Sequence, residues 1–142
     1  GDPLANFSFL NFLPENSRRL KALPAWFSLM AYGKDGYREI VERCIALAQL
    51  LGSEIERIPG FALLAPVRLN TVCFHYRQAP DQTSVILQRL NASGKVFMTP
   101  TVYNGITGIR AALVNWRTTQ ADIEIAVAAL RESAGLFPEN AP

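Results

Sequence analysis

The segment GKVFMTPTVYNGITGIRAALVNWR, residues Gly94–Arg117, lies at the centre of the predicted fold. It is typical of two β-strands joined at Tyr103-Asn104-Gly105, because Asn-Gly admits the positive φ that a tight hairpin turn requires. The second strand is predicted over Ile109–Trp116 and is apolar over most of its length, with Arg110 near its start. A guanidinium keeps its proton and needs partners for five donors. We therefore expect Arg110 to lie next to solvent at the end of the strand or to face an anion.

The flanking sequence predicts four helices and two further strands around this hairpin. The helices are expected over Arg18–Tyr32, Tyr37–Arg57, Asp81–Ala92 and Gln120–Ser133, and the strands over Phe61–Val67 and Thr71–Arg77. Pro24 should kink or restart the first helix, and Gly33 should end it. Thr119 and Asp122 have the spacing of a capping box. The order predicts an α+β fold, with two leading helices and then a four-stranded, mostly antiparallel sheet with helices on one face.

Composition restricts the class of protein. The chain has 142 residues, enough for one domain with a real core, and 49% of them are hydrophobic. This apolar balance indicates a face that another subunit or domain covers. A net charge of +2 argues against nucleic-acid and membrane partners. The sequence shows neither a signal peptide nor a long apolar span, so a cytoplasmic setting is the default expectation.

The residue types that carry most chemistry give little sign of a complete active site. His75 is the only histidine, which argues against a metal site, and a strand histidine is more often structural. Cys44 and Cys73 are expected to be free thiols with apolar neighbours. The three lysines, Lys21, Lys34 and Lys95, are each predicted to be solvated, whereas a Schiff-base lysine needs a desolvated pocket. We therefore predict no catalytic, cofactor-binding or metal-binding residue in this chain.

Two blocks of sequence resemble the group II pyridoxal phosphate (PLP)-dependent amino-acid decarboxylases, the family of the aromatic amino-acid, histidine, tyrosine and glutamate decarboxylases. The first block is Ser17–Trp26, SRRLKALPAW, followed by Tyr32-Gly33 and Gly36-Tyr37. The second consists of Val72-Cys73-Phe74, Thr101, Gly105, Ile109-Arg110, Asn115, Arg117-Thr118-Thr119 and Asp122-Ile123. The blocks occur in the order that the family has, and together they cover most of residues 17–133.

The resemblance implies that residues 17–142 are the small C-terminal domain of such an enzyme and that residues 1–16 are an extended arm from the preceding large domain. It implies that the large domain holds PLP through a lysine, that the parent is a homodimer with active sites at the subunit interface, and that this segment is inactive alone. The resemblance also implies a role for Arg110: an arginine on the family's terminal strand can reach the substrate carboxylate, at least in the glutamate decarboxylase branch, and Arg110 matches that position. The competing interpretation of Arg110 is an arginine paired with a structural acid.

The type of reaction and the function itself stay open at the level of sequence. In the family, a loop tyrosine upstream of the Ser-Arg-Arg block protonates the substrate carbon from which carbon dioxide has departed. Here no tyrosine precedes Tyr32, and the segment before Ser17 contains Phe7, Phe9 and Phe12 instead. The product could therefore be a simple amine or an oxidised compound. The sequence does not name the amino acid that is the substrate. The competing function is a free-standing α+β module that binds a small acidic metabolite at Arg110 or a partner protein on an apolar face.

Overall fold

The computed structural model describes residues 22–136. The chain divides into two compact units, residues 1–38 and 39–142. Several predicted features lie outside the described residues: the arm at residues 1–16 with its three phenylalanines, the helix start at Arg18, and Lys21. The predicted domain boundary therefore stays a prediction.

A long helix, α1, begins the described part of the chain and spans Ala22–Glu56. It is interrupted at Gly33, whose φ of 63° and ψ of −172° are not helical. The prediction that a helix ends at Gly33 is therefore confirmed. Two details were wrong: residues 34–36 are helical instead of forming a loop, and the interruption lies at Gly33 and not at Pro24. Glycine reaches positive φ without steric cost, so the break falls there.

The elements that follow α1 are the four strands of one sheet and the shorter helices that pack with it. They are β1 (Phe61–Leu63), β2 (Thr71–Tyr76), a 3-10 turn (Pro80–Gln82), α2 (Thr83–Ala92), β3 (Thr99–Tyr103), β4 (Ile106–Ala112) and α3 (Gln120–Ser133). The sheet has the order β1-β2-β4-β3, and each neighbouring pair is antiparallel. The predicted α+β class and four-stranded antiparallel sheet are confirmed. The two leading helices form the single interrupted α1.

The core of the second unit lies on one face of this sheet. Val72 and Phe74 of β2 and Ile109 and Ala111 of β4 are buried, and the residues between them are more exposed. Buried residues of α1, α2 and α3 join the same cluster, among them Leu51, Ile55, Leu87, Leu90, Ile123 and Leu130. Alternation with period two places the intervening strand residues on the opposite face. That opposite face, the outer face, carries Thr71, Cys73, His75, Thr99, Thr101, Arg110 and Ala112.

The central hairpin forms around the predicted turn, but its second strand is displaced from the prediction. Asn104 and Gly105 have φ of 48° and 78°, and Tyr103 pairs directly with Ile106. Pairing therefore begins at Ile106 and not at Ile109. The strand ends at Ala112 and does not reach Trp116. Beyond Ala112 the Leu113 N–H still donates to the Asn70 carbonyl oxygen, and the chain then turns at Asn115, whose Oδ1 accepts the Arg117 N–H at 2.9 Å.

Two further boundaries differ from the prediction for local reasons. β1 stops at Leu63 and does not reach Val67, because Pro66 lacks an N–H and restricts the residue before it. The helix predicted from Asp81 starts as the 3-10 turn and becomes α-helical at Thr83. The predicted capping box of α3 is confirmed, and the Asp122 carboxylate accepts the Thr119 N–H and hydroxyl at 2.8 Å each. These two bonds hold the pKa of Asp122 below its ordinary value.

Candidate functional site

Arg110 lies in the second half of β4, on the outer face of the sheet, and not at the start of a strand. Its direct cross-strand partners are Cys73 on β2 and Thr99 on β3. These three residues therefore form a row across the sheet. Its neighbours along β4, Ile109 and Ala111, point into the core. The packing of these two residues fixes the strand, so it presents the Arg110 side chain outward.

The Arg110 guanidinium is exposed, and it makes one side-chain hydrogen bond. Its Nε–H donates to Thr99 Oγ1 at 3.2 Å, and the Thr99 hydroxyl donates to the Arg110 carbonyl oxygen at 3.4 Å. Within residues 22–136, no aspartate or glutamate forms an ion pair with Arg110. Both terminal nitrogens are thus unpaired within residues 22–136, where a ligand can bind them. The competing interpretation, an arginine paired with a structural acid, thus finds no such acid in the described part of the chain.

Gly108 allows close packing next to the row of Cys73, Arg110 and Thr99. It is buried on β4 and pairs with Thr101 of β3. A Cβ atom at this position would meet the Leu64 side chain and would lie 2.8 Å from the carbonyl oxygen of Phe74. Glycine therefore lets the Leu64 side chain pack closely over β4 at this position.

His75 lies two residues from Cys73 and shares the outer face with it, as predicted from their alternation. It is half-buried, and its Nδ1 is buried without a hydrogen-bond partner among the described residues. A groove of about 550 Å³ beside it is lined by His75, Pro80, Asp81, Ser84, Gly105, Ile106 and Thr107. No hydrogen bond joins the side chains of His75, Asp81 and Ser84 in this part of the structure. A nucleophile and its base must lie within hydrogen-bond reach, so these three do not form a catalytic triad here.

The described residues do not fit the anchoring of PLP. The Lys95 amine donates to Glu132 at 2.8 Å in an exposed ion pair, and Lys34 is exposed next to Gly33. Neither amine has the desolvated surroundings that a Schiff-base lysine requires. Between residues 22 and 136, no three or more His, Cys, Asp or Glu side chains come together as a metal site. Cys44 and Cys73 are free, as predicted; Cys44 is buried and Cys73 is half-buried.

An apolar groove of about 330 Å³, which Arg110 does not line, lies between α1 and the segments that flank β2 and β4. It is lined by Ile40, Val41, Cys44, Ile45, Leu69, Asn70, Leu113 and Val114. Val41, Leu69 and Val114 are 53%, 64% and 75% exposed, which is unusual for three neighbouring aliphatic side chains. We call these three residues the apolar patch. No described helix has the length and apolar character that crossing a membrane requires.

The known proteins that this chain matches are mostly amino-acid decarboxylases. Residues 8–77 match the model described as "Pyridoxal-dependent decarboxylase conserved domain". An aromatic-L-amino-acid decarboxylase of Manduca sexta is 23% identical over 120 residues, which are 84% of this chain and 24% of that protein. A 3,4-dihydroxyphenylacetaldehyde synthase of Drosophila melanogaster is 30% identical over 109 residues, 77% of this chain and 21% of that protein. Histidine and tyrosine decarboxylases are also among the relatives.

Solved structures show the same fold. The crystal structure of Oryza sativa TDC with PLP superposes with a TM-score of 0.75 at 19% identity, over 88% of this chain and 29% of that one. The chain thus spans about a quarter of the length of the proteins that it matches. Over that part, it matches the group II PLP-dependent amino-acid decarboxylases in sequence and has the same fold.

Proposed function

We propose that this chain is the C-terminal small domain of a PLP-dependent amino-acid decarboxylase and that Arg110 binds the carboxylate of the amino-acid substrate. The observation that carries this proposal is the exposed guanidinium of Arg110, which lacks an acidic partner among residues 22–136. A planar guanidinium fork matches a carboxylate in geometry and charge. The family relationship supplies the class of reaction.

The cofactor belongs to another part of the protein in this proposal. PLP supplies the electron sink for decarboxylation when it is bound. The exposed Lys34 and the ion-paired Lys95 do not suit the anchoring role. A lysine of a preceding large domain would hold the cofactor, and the present domain would orient the substrate. The segment is inactive alone on this proposal.

The partners of the domain follow from the same reasoning. The apolar patch of Val41, Leu69 and Val114 supports docking against the preceding large domain or the second subunit of a homodimer, because a covered patch loses its contact with water. Arg110 does not line the groove that contains that patch, so a partner can dock in the groove without contacting the guanidinium there.

The proposal can be tested with the polypeptide that the complete reading frame encodes. Decarboxylation of aromatic amino acids is measured with PLP for the wild type, Arg110→Lys and Arg89→Lys. Arg89 is the matched control, because it is exposed on α2 and no ion pair to it is present in the described structure. Hydrogen bonds to charged groups contribute about 1.5–3 kcal/mol, so Arg110→Lys should lower kcat/KM about 10- to 100-fold. Arg89→Lys should leave it unchanged.

Two results would reject the proposal. Equal kcat/KM for Arg110→Lys and the wild type would show that the guanidinium does not bind the substrate. Failure of the encoded protein to release carbon dioxide with PLP from aromatic amino acids, histidine and glutamate alike would reject the decarboxylase assignment and favour a free-standing binding module. The assay should quantify both amine and aldehyde, because the relatives' names include decarboxylases and an acetaldehyde synthase. The ratio of these products assigns the type of reaction.

A further inference from the structure

The hydrogen bonds of Arg110 restrict the direction from which a carboxylate can approach it. A guanidinium offers two donor edges to a carboxylate: one formed by Nε and a terminal nitrogen, and one formed by the two terminal nitrogens. The Nε–H of Arg110 already donates to Thr99 Oγ1 at 3.2 Å. The first edge is therefore engaged within the protein. The edge with both terminal nitrogens is the one left for a ligand.

Thr99 is itself held in place. Its hydroxyl donates back to the Arg110 carbonyl oxygen at 3.4 Å, which turns the oxygen lone pairs toward Nε. The β-branched side chain of threonine has restricted χ1 freedom. The preceding residue, Met98, is fixed to α2 by Asn91, whose side chain exchanges two hydrogen bonds of 2.9 Å with the Met98 backbone. The acceptor for Nε thus belongs to a fixed strand.

We propose that Thr99 is a positioning residue, which orients the Arg110 guanidinium so that a carboxylate binds end-on through the two terminal nitrogens. The identity of the ligand rests on the proposed function, whereas the orientation of the guanidinium rests on the two hydrogen bonds alone. Loss of the Thr99 hydroxyl frees Nε and lets the carboxylate bind through the other edge. Thr99 thereby selects one of two binding geometries.

The first part of the test observes the Nε–H groups of arginine in this chain by ¹⁵N–¹H NMR, with Arg110→Lys to assign the Arg110 signal. A hydrogen bond with a net free energy of about 0.5–1.5 kcal/mol slows exchange with water about 2- to 12-fold. We expect this slowing for Arg110 relative to the exposed Arg89 in the wild type. Thr99→Ser should keep it, and Thr99→Val should abolish it. Thr101→Val, at the next outer-face position of β3, should leave it unchanged.

Equal exchange at Arg110 and Arg89 in the wild type would overturn the inference, and this comparison needs no variant beyond the assignment. Retention of slow exchange in a folded Thr99→Val would also overturn it. If Thr99→Val does not fold, the wild type is compared with Thr99→Ser. Slow Nε–H exchange in both supports the inference, and fast exchange in both rejects it.

The second part titrates acetate as the carboxylate probe. In the wild type we expect shifts of the terminal N–H signals of Arg110 with Nε–H unchanged, and in Thr99→Val we expect Nε–H to shift as well. A wild-type Nε–H that moves together with the terminal groups overturns the end-on geometry. Slow Nε–H exchange without any acetate response at Arg110 would count against the proposed carboxylate contact, while the positioning hydrogen bond would stand. The two failures are therefore distinguishable.

Discussion

Asn91 should stabilise the domain more than any exposed polar residue of α2. Its Nδ2 donates to the Met98 carbonyl oxygen and its Oδ1 accepts the Met98 N–H, both at 2.9 Å and partly buried. Two such bonds contribute about 2 kcal/mol, at about 1 kcal/mol each. Alanine is a better helix former than asparagine by about 0.6 kcal/mol, which offsets part of the loss. We expect Asn91→Ala to lower the free energy of unfolding by about 1.5 kcal/mol.

Urea unfolding of the chain measures this effect directly. With a slope of about 1–3 kcal/mol per molar urea, the midpoint should fall by about 0.5–1.5 M. Gln88→Ala is the matched control, since Gln88 is exposed on the same helix and no hydrogen bond from its side chain is present in the described structure. That change should leave the midpoint unchanged or raise it slightly. Equal midpoints for the two variants would refute the reasoning that Asn91 holds α2 to β3.

Asn91→Asp provides an independent check of the same two bonds. The aspartate keeps an acceptor for the Met98 N–H, but it puts a second acceptor against the Met98 carbonyl oxygen. At neutral pH it should destabilise the domain at least as much as alanine does. Protonation of the carboxylate below about pH 4 restores a donor and should recover part of the loss. Stability of Asn91→Asp equal to that of the wild type at neutral pH would contradict the assigned geometry.

Two further predictions concern the sheet and the last helix. Gly108→Ala should cost about 1–3 kcal/mol of unfolding free energy, because the new Cβ lies 2.8 Å from the carbonyl oxygen of Phe74, which belongs to a neighbouring strand; an unchanged urea midpoint would contradict this. Asp122 has a lowered pKa, so its contribution is present above the ordinary carboxyl pKa and is lost as the pH falls through the lower folded-state value. The unfolding free energy of the wild type should therefore approach that of Asp122→Asn as the pH drops below about 4, and a constant difference would contradict the assignment.

The hairpin shows which features the sequence predicts correctly and which residue the prediction omitted. The Asn-Gly turn indicates a two-residue loop, so Tyr103 must pair with Ile106. Continuing this antiparallel register places Thr99 opposite Arg110. Thr99 was not among the predicted site residues, because the second strand was predicted to start at Ile109 and not at Ile106. The signal was present in the turn itself, and counting from it would have identified the residue beside the arginine.

Several features depend on contacts that periodicity does not encode. The strand order β1-β2-β4-β3 brings Cys73 beside Arg110, although the two are far apart in the chain. Arg110 has no acid beside it within residues 22–136, and this too depends on which side chains of the neighbouring strands lie next to it. The side-chain link from Asn91 requires the end of α2 to meet Met98, the residue that precedes β3. The turn at Asn115, which its side chain stabilises, likewise lies where the apolar pattern alone predicted a strand as far as Trp116.

The division of the sheet into two faces has an evolutionary consequence. Residues such as Val72 and Ile109 hold the domain together from one side, while Cys73, Thr99 and Arg110 contribute little to that packing. Surface substitutions of this kind usually change stability by no more than about 0.5 kcal/mol. Selection can therefore replace the outer-face side chains one residue at a time without unfolding the domain, and descendants of one ancestral scaffold can diverge in the chemistry of this face.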